Sequence, residues 1–448
     1  MRKTAFMAAL AMILALFVGV LPAQAQYAVD FEEYSESVYM VNLDTDTVVY
    51  EKNAQVQRAP ASLTKIMTMI LAIENCDDPD NTLITAPSYI WNEFEGIPIS
   101  HADIRRGETL SMRQLLYCMA LQSANEGANI VADYLGGGDI SDFVAMMNEK
   151  AKEIGANNTH FANPHGLYDP DHYTTAYDMY LIAKYAYELP GFMDYVTVPV
   201  LEIGPTYDTP PVHESLVLTS TNKMMFSQSD YYYEPIRGMK TGTLDESGRC
   251  FVSTATKNGF TYMLVLMGAP LYDGEGNEYT TNNAFIDAKN FYEWAFDTFR
   301  VKTLLEKGKN IGQVDLELAW GKDHLLVMSG DRYTALLPDE VEASSVVLVP
   351  EYTQDPVRAP VKKGDKVGEV KLMLAGEEIG RVDLISSETV EQNRWLYYLD
   401  QAQSFLHSFW FKFAVLLLGM LLIFYFVLMI LRNRRRRRYR GVRPRRRL

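Results

Sequence analysis

The sequence predicts a layered α/β domain, followed by a small all-β domain and a single membrane-spanning helix. β-rich runs lie at both ends of the first 300 residues, and helical patterns lie between them. Short β-rich runs alternate with turns from about residue 301 to 388. Near the C-terminus, the uncharged apolar run from Phe413 to Leu431 is long enough to cross a bilayer.

The N-terminus has the three-part pattern of a secretory signal peptide. Arg2 and Lys3 precede an apolar run from Ala5 to Val20, and Ala23-Gln24-Ala25 is a small-x-small cleavage site. An uncleaved anchor helix is the weaker alternative, because the run is short for a membrane span. We therefore expect residues 1–25 to be removed and the mature chain to be exported.

The predicted α/β domain begins with a hairpin and ends with a hairpin and a helix. Ser37 to Val49 contains two β-rich runs around the turn at Asp44-Thr45-Asp46. The runs Arg249 to Thr256 and Thr261 to Met267 flank Lys257-Asn258-Gly259, which is a favourable hairpin turn. An amphipathic helix from Ala284 to Phe299 closes the domain, which we expect to span residues 26–299.

The C-terminal segments predict the topology of the chain. After the all-β domain, 300–388, a polar linker helix is expected at 389–405 and a transmembrane helix at 406–431. Eleven arginines follow in 432–448, and a basic flank directly after a span marks the cytoplasmic side. We therefore expect the large domain outside the cell membrane, the basic tail inside, and the β domain between them as a spacer.

Composition excludes several classes of function. Thirteen of the 42 basic residues lie in the signal and tail segments, whereas all 57 acidic residues lie between those segments. An exported region so acidic repels nucleic acid and other anionic polymers. The three cysteines, Cys76, Cys118 and Cys250, give neither a disulfide framework nor a metal-binding spacing, and we expect buried free thiols.

The stretch from Pro60 to Lys65 opens a helical pattern in which Ile66, Met69, Ile70 and Ile73 share one face. This pattern predicts Ser62 in the first helical turn, where free N–H groups and the helix dipole favour negative charge. Lys65 would lie beside it on the same face. A nucleophile next to an amine is a catalytic arrangement. A capped helix with an exposed lysine is the alternative, since residues 220–223 also read Ser-x-x-Lys.

Two further motifs follow in chain order. Ser123-x-Asn125 comes directly after a predicted helix, and Lys240-Thr241-Gly242 comes at the edge of a β-rich run. The three motifs together are typical of penicillin-interacting serine enzymes. The chain resembles the low-molecular-mass penicillin-binding proteins, the D-Ala-D-Ala carboxypeptidases of bacterial cell walls. Residues 58–68 and 163–167 also look like segments of that family, and the resemblance covers nearly the whole mature chain.

The resemblance implies the penicillin-binding/β-lactamase-like transpeptidase fold, with a central antiparallel sheet and helices. Ser62 would attack the penultimate D-Ala carbonyl of a peptidoglycan stem peptide, with Lys65 as its base. That base must be a neutral amine, so burial or a neighbouring cation such as Lys240 must lower its pKa. Ser123 would relay a proton to the departing D-Ala, and β-lactams would bind covalently as substrate mimics.

The remaining motif residues would bind the substrate. Asn125 would hydrogen-bond its backbone, and Thr241, Gly242 and Thr243 would offer an extended edge for it. By resemblance, the N–H groups of Ser62 and Thr243 form the oxyanion hole. The family needs neither cofactor nor metal. A metal site at the loop histidines is the less favoured interpretation, because no acidic or cysteine ligand spacing accompanies them; the histidines are His160, His165 and His172.

One position departs from the family pattern. Relatives carry an arginine on the strand after the Lys-Thr-Gly strand, and alignment by eye puts Thr261 there. Arg249, or the hydroxyls of Thr241 and Thr243, are candidate substitutes. Thr261 alone favours a catalytically weak or silent penicillin- or peptidoglycan-binding wall protein. A β-lactamase is less favoured, since no Glu-x-x-Leu-Asn segment occurs between Asn125 and Lys240.

Overall fold

The computed structural model describes residues 28–439, with side chains to residue 434. The predicted signal peptide and the end of the basic tail lie outside this range. The chain forms two compact units that divide between Arg300 and Val301.

The first unit is built on a five-stranded antiparallel sheet in the order β2-β1-β9-β8-β7. Its strands, with those of two short hairpins, are β1 Ser37–Asn42, β2 Thr47–Lys52, β3 Leu83–Thr85, β4 Thr109–Ser111, β5 Val200–Ile203, β6 Leu216–Thr219, β7 Ile236–Leu244, β8 Gly248–Lys257 and β9 Phe260–Ala269. Strand β1 pairs with β9, so the two ends of the unit meet in one sheet. The predicted antiparallel sheet and both predicted hairpins are confirmed.

In the part of this unit that the structure describes there are seven α-helices: α1 Lys65–Glu74, α2 Met112–Gln122, α3 Asn125–Leu135, α4 Ile140–Ile154, α5 Ala176–Glu188, α6 Phe192–Val196 and α7 Asn283–Thr298. Alternate residues of the sheet face opposite layers. Val41 and Val265 join the core that contains α1 and α2, whereas Phe251 and Tyr262 contact aromatic rings of α7. The sheet therefore lies between two helical layers, and α1 is buried in the larger one.

The start of α1 differs from the prediction. Ser62 lies not in the first turn of the α-helix but in a 3₁₀ turn, Ala61–Thr64, that immediately precedes Lys65. Ala61 adopts the left-handed conformation at φ 48°, which side chains rarely take. This turn sets Ser62 at the end of the buried helix with its own side chain half-exposed. Strained backbone of this kind persists only where surrounding contacts hold it.

The loop of residues 162–174 supplies those contacts. Thr64 donates its hydroxyl proton to the Ala61 carbonyl at 2.8 Å, and its Oγ1 lies 2.7 Å from His172 Nε2. Burial lowers the pKa of His172 to about 3, so the ring is neutral. Its Nδ1 accepts from the Ala162 N–H at 3.0 Å, which leaves Nε2–H to donate to Thr64. Gly166, at φ 90°, lies directly against the same turn.

The second unit contains an all-β domain with a Val- and Leu-rich core. Its strands are β10 Phe299–Leu305, β11 Asn310–Glu317, β12 His324–Ser329, β13 Tyr333–Pro338, β14 Val347–Tyr352, β15 Val357–Arg358, β16 Lys366–Leu374 and β17 Glu377–Ser386. Six of them form one sheet in the order β14-β16-β17-β12-β11-β15, and β10 pairs with β13. The predicted small all-β domain is confirmed.

Two helices end the described chain, α8 Arg394–His407 and α9 Phe409–Tyr439. Ser408 between them is extended at ψ 146°, and its Oγ accepts from the Phe411 N–H. Because of this break, α9 begins three residues after the predicted start of the span. Among the described residues, Phe409–Arg434 is the one helix long and apolar enough to cross a membrane.

Replacing Gly166 by alanine should strongly destabilise the first unit. The new Cβ would lie 1.9 Å from the Ala61 carbonyl oxygen and 2.7 Å from Thr64 Oγ1. Gly259→Ala is the matched control, because Gly259 has φ 83° but no atom of a described residue lies within 4 Å of its Cβ position. It should cost only the conformational penalty, about 1 kcal/mol.

We expect Gly166→Ala to lower the free energy of unfolding by at least about 3 kcal/mol more than this control. Urea denaturation followed by circular dichroism measures both. Equal losses for the two variants would contradict the packing of Gly166 against the Ser62 turn.

Candidate active site

The Lys65 amine is the centre of the site. Its Nζ lies 3.1 Å from Ser62 Oγ, 2.6 Å from Asn125 Oδ1 and 2.6 Å from the main-chain oxygen of His165. The Lys65 side chain is fully buried. The structure therefore brings Ser62, Lys65 and Asn125, predicted from two separate motifs, into direct contact.

Burial also controls the charge of this amine. Desolvation lowers the pKa of Lys65 well below its ordinary value, and the nearby Lys240 lowers it further, whereas Glu126 opposes these effects. Lys240 is itself buried, and desolvation lowers its pKa to about 7. We expect burial or a neighbouring cation to lower the pKa of Lys65. Both do so here, and burial is the larger cause.

The Ser123–Asn125 segment connects two buried helices. A capping box between Ser111 and Gln114 starts α2, and the helix ends at Ser123, which takes the left-handed conformation at φ 59°. The Ser123 hydroxyl is buried and has no hydrogen-bond partner among the described residues. Asn125 begins α3, and its main-chain N–H donates to the Ser100 carbonyl at 2.9 Å. This tight connection fixes Asn125 against Lys65.

Strand β7 forms the other side of the site. It is an edge strand that pairs only with β8 within its sheet. A Cβ built on Gly242 would lie 3.0 Å from Ala61 Cβ and 3.1 Å from Ser62 N, so the strand packs directly on the Ser62 turn. Lys240 Nζ donates to the Thr241 carbonyl at 3.1 Å. Thr241 is half-buried and Thr243 exposed along the free edge.

The expectation that Thr261 lies on the strand after the Lys-Thr-Gly strand is wrong. Strand β8 follows β7, and Thr261 lies on β9 beside the hairpin turn, opposite Thr256. Its N–H donates to Asp44 Oδ2 at 2.7 Å. Lys240 pairs with Val252, which pairs with Val265, four residues from Thr261, or about 13 Å along the strand. Thr261 therefore lies away from the part of the sheet that carries Lys240.

Arg249, the other charged candidate, lies opposite Thr243 in the register of β7 and β8. Its guanidinium donates to main-chain oxygens of the segment that follows β9, at 2.8 Å for Thr281 and 3.4 Å for Tyr279. It thus anchors that segment rather than standing free beside the edge of β7.

The three loop histidines have separate surroundings. His165 is buried among Glu93, Phe94 and the Leu167 N–H, and desolvation lowers its pKa, so its ring is neutral. His172 holds the Ser62 turn as described above. Among the described residues, no group of three or more His, Cys, Asp or Glu side chains is arranged to hold a metal. The three cysteines are free, and burial raises the pKa of Cys250 to about 11.

Three groups at the candidate site were not predicted from the sequence. The His165 main-chain oxygen accepts from Lys65, yet a carbonyl group leaves no trace in sequence. Glu126 acts on Lys65 through space from the first turn of α3. Thr221 contacts Thr241 at 2.6 Å, and its only signal is the second Ser-x-Asn match.

Comparison with known proteins gives two family matches. A model of the D-alanyl-D-alanine carboxypeptidase family matches residues 23–271. A model of the penicillin-binding protein 5 C-terminal domain matches residues 299–392. Together these matches include all three motifs and the all-β domain.

Similar proteins match over most of their length. D-alanyl-D-alanine carboxypeptidase DacF of Bacillus subtilis is 25% identical over 368 residues, covering 82% of this chain and 88% of the relative. D-alanyl-D-alanine carboxypeptidase DacC of Escherichia coli is 26% identical over 364 residues, covering 77% and 81%.

Solved structures share the fold. Penicillin binding protein 5 from Haemophilus influenzae superposes with a TM-score of 0.61 at 22% identity, covering 82% of this chain and 100% of that chain. Penicillin binding protein 6B from Escherichia coli gives a TM-score of 0.60 at 21% identity, covering 81% and 98%. With the family match over more than half of its residues, the chain belongs to the D-alanyl-D-alanine carboxypeptidase family.

Proposed function

We propose that this chain hydrolyses the terminal D-Ala–D-Ala bond of peptidoglycan stem peptides, with Ser62 as nucleophile, Lys65 as base and Ser123 as proton relay. The observation that carries the proposal is the buried Lys65 amine, 3.1 Å from Ser62 Oγ. The family acts on D-Ala-D-Ala peptides and binds β-lactams. Regulation of cross-linking in the bacterial wall follows, since trimmed stems lack the terminal D-Ala.

The contacts of Lys65 suit a neutral amine that accepts a proton from Ser62. Asn125 Oδ1 and the His165 oxygen, each at 2.6 Å, take the two N–H bonds of a neutral amine. The lone pair then faces the Ser62 hydroxyl. As the Oγ–carbon bond forms, the hydroxyl proton passes to Nζ and the peptide carbonyl becomes an oxyanion. The close approach of Gly242 to Ser62 N supports an oxyanion hole formed by the Ser62 and Thr243 N–H groups.

Ser123 then serves the departing D-Ala. Its buried hydroxyl, without a partner among the described residues, is suited to carry the proton from Lys65 to the D-Ala nitrogen as the C–N bond breaks. A water molecule next attacks the ester, giving up one proton by the same route. The ester C–Oγ bond breaks, Ser62 regains its proton, and the shortened stem peptide leaves as a carboxylic acid.

The edge of β7 provides the place for the peptide. An extended substrate can add to this free edge as a further strand, with Lys240, Thr241, Gly242 and Thr243 beside it. Asn125 uses its oxygen on Lys65, so its NH₂ group remains to donate to the substrate backbone. With Thr261 distant from this edge, no specific observation favours a catalytically silent wall protein or a β-lactamase.

The C-terminal helix supports attachment to the cell membrane. We propose that Phe409–Arg434 crosses the bilayer once, with the basic tail in the cytoplasm and both folded units outside. The predicted domain limits, from the signal peptide at 1–25 to the tail at 432–448, remain part of this proposal.

Acylation by a fluorescent penicillin tests the nucleophile and its base. Ser62→Ala should lose the covalent label completely, and Lys65→Ala should slow labelling by about 10³-fold or more. Lys223→Ala is the control, because it removes the exposed lysine of the second Ser-x-x-Lys match. Labelling is read on gels of the detergent-solubilised full chain. Label on Ser62→Ala, or none on the parent, would refute the mechanism.

The rate of acylation should rise with pH as Lys65 loses its proton. Because the pKa of Lys65 is lowered, the midpoint should lie well below 10.5. Lys65→Arg should stay inactive at every pH, since a guanidinium keeps its proton. Stopped-flow acylation between about pH 5 and about pH 10 measures the midpoint of the parent and the activity of Lys65→Arg. A midpoint near 10.5 would show a charged resting lysine.

Burial of Lys240 should make stability depend on pH. Its pKa falls to about 7 in the folded chain, against 10.5 for the unfolded value. Between these values the unfolded chain binds more protons, so stability rises with pH over this window. Lys240→Met should therefore raise the melting temperature more at pH 7 than at about pH 10. Lys223→Met, at an exposed lysine, should change the melting temperature equally at the two pH values. Equal changes for Lys240→Met would contradict the cost of burying the Lys240 amine.

A further inference from the structure

The second Ser-x-Asn match, residues 220–222, lies beside the candidate site. The Thr221 N–H donates to the Leu121 carbonyl at 3.0 Å, and the Thr221 and Thr241 hydroxyl oxygens are 2.6 Å apart. The next residue, Asn222, donates from Nδ2 to the Gly238 carbonyl at 2.8 Å. This segment thus bonds to the last turn of α2 on one side and to β7 on the other.

These bonds connect the end of α2 with strand β7, the two sides of the candidate site. Leu121 precedes Ser123 by two residues, and Thr241 directly follows Lys240. Thr221 contacts both sides, since its N–H donates to Leu121 and its hydroxyl lies against that of Thr241. A side chain at this position is therefore able to orient a group of the substrate-binding edge without touching Ser62 or Lys65.

One of the two hydroxyl protons of Thr221 and Thr241 is not used in the bond between them. Two hydroxyls carry two protons, and the bond between them uses one. Both threonines are half-buried, which limits competition from bulk water. If the Thr221 hydroxyl donates to Thr241 Oγ1, the Thr241 proton must point elsewhere, toward an acceptor outside the pair.

We propose that Thr221 is a positioning residue that directs the Thr241 hydroxyl proton toward the C-terminal carboxylate of the bound peptide. The proposal rests on the proposed function, in which Thr241 lines the substrate edge. A carboxylate is the one charged group that every carboxypeptidase substrate presents at its C-terminus. A hydrogen bond to it is stronger than one between neutral groups, so a correctly aimed hydroxyl contributes to substrate binding.

Steady-state release of D-Ala from a pentapeptide, measured on the detergent-solubilised full chain, tests this role. Thr221→Val keeps the size of the side chain and its N–H bond to Leu121 but removes the hydroxyl. We expect KM to rise about tenfold with kcat within about twofold of the parent, the loss of uniform binding. Thr221→Ser should restore KM. A fall in kcat without a change in KM would show a general distortion and overturn the proposal.

A double-mutant cycle identifies the path of the effect. If Thr221 acts through Thr241, then adding Thr221→Val to Thr241→Val should leave KM unchanged; additive losses would overturn the proposal. Thr261→Val is the matched control, because it breaks a 3.0 Å hydroxyl pair with Thr256 in the same sheet, away from the site. Its KM should equal that of the parent.

The same cycle separates this inference from the proposed function. A normal KM in Thr241→Val would refute the role of Thr241 itself. An impaired Thr241→Val together with a normal Thr221→Val would refute only the positioning role of Thr221. Thermal unfolding of each variant checks that the fold is intact.

Discussion

The burial of the Lys65 amine against three oxygen atoms is the constraint on which the rest of this site depends. Each oxygen comes from a different segment: the 3₁₀ turn, the start of α3 and the 162–174 loop. Since an uncompensated buried amine is costly, all three segments must be held in place at once. The packing of α1 within the larger helical layer and against the sheet provides that rigidity.

Close packing of small residues follows from the same constraint. Gly166 and Gly242 both pack against the Ser62 turn. A side chain at either glycine would lie close to backbone atoms of that turn. The left-handed Ala61 and Ser123 stand at the two chain reversals that present Ser62 and the Ser123–Asn125 segment. Strained backbone and buried amines are thus concentrated at the candidate site, as expected when stability is given up for function.

The sheet places one free strand edge beside the candidate site. Strand β7 lies at one edge of the sheet, two places from the central strand β9, and its outer side carries a row of backbone groups that pairs with no described strand of that sheet. The same sheet holds Thr261 far along β9 and aims Arg249 at the segment after it. Under the proposed function, recognition of the substrate would depend on hydroxyl and backbone groups of the edge, with Lys240 behind them.

The sequence by itself determined the α/β and all-β organisation and the apolar C-terminal helix, because periodicity is a property of neighbouring residues. Local motifs predicted eight candidate site residues, whose roles stay a prediction. The sequence also predicted a helix after Ser62, but not the 3₁₀ turn, which requires a left-handed Ala61 held by His172 and Gly166 about a hundred residues away. The position of Thr261 could not be predicted by eye, because the β8–β9 hairpin decides which residues lie opposite one another across the sheet. The Lys65–His165 contact and the Thr221–Thr241 pair were decided only by tertiary structure, because they join groups distant in sequence, one of them a main-chain oxygen that no residue type reveals.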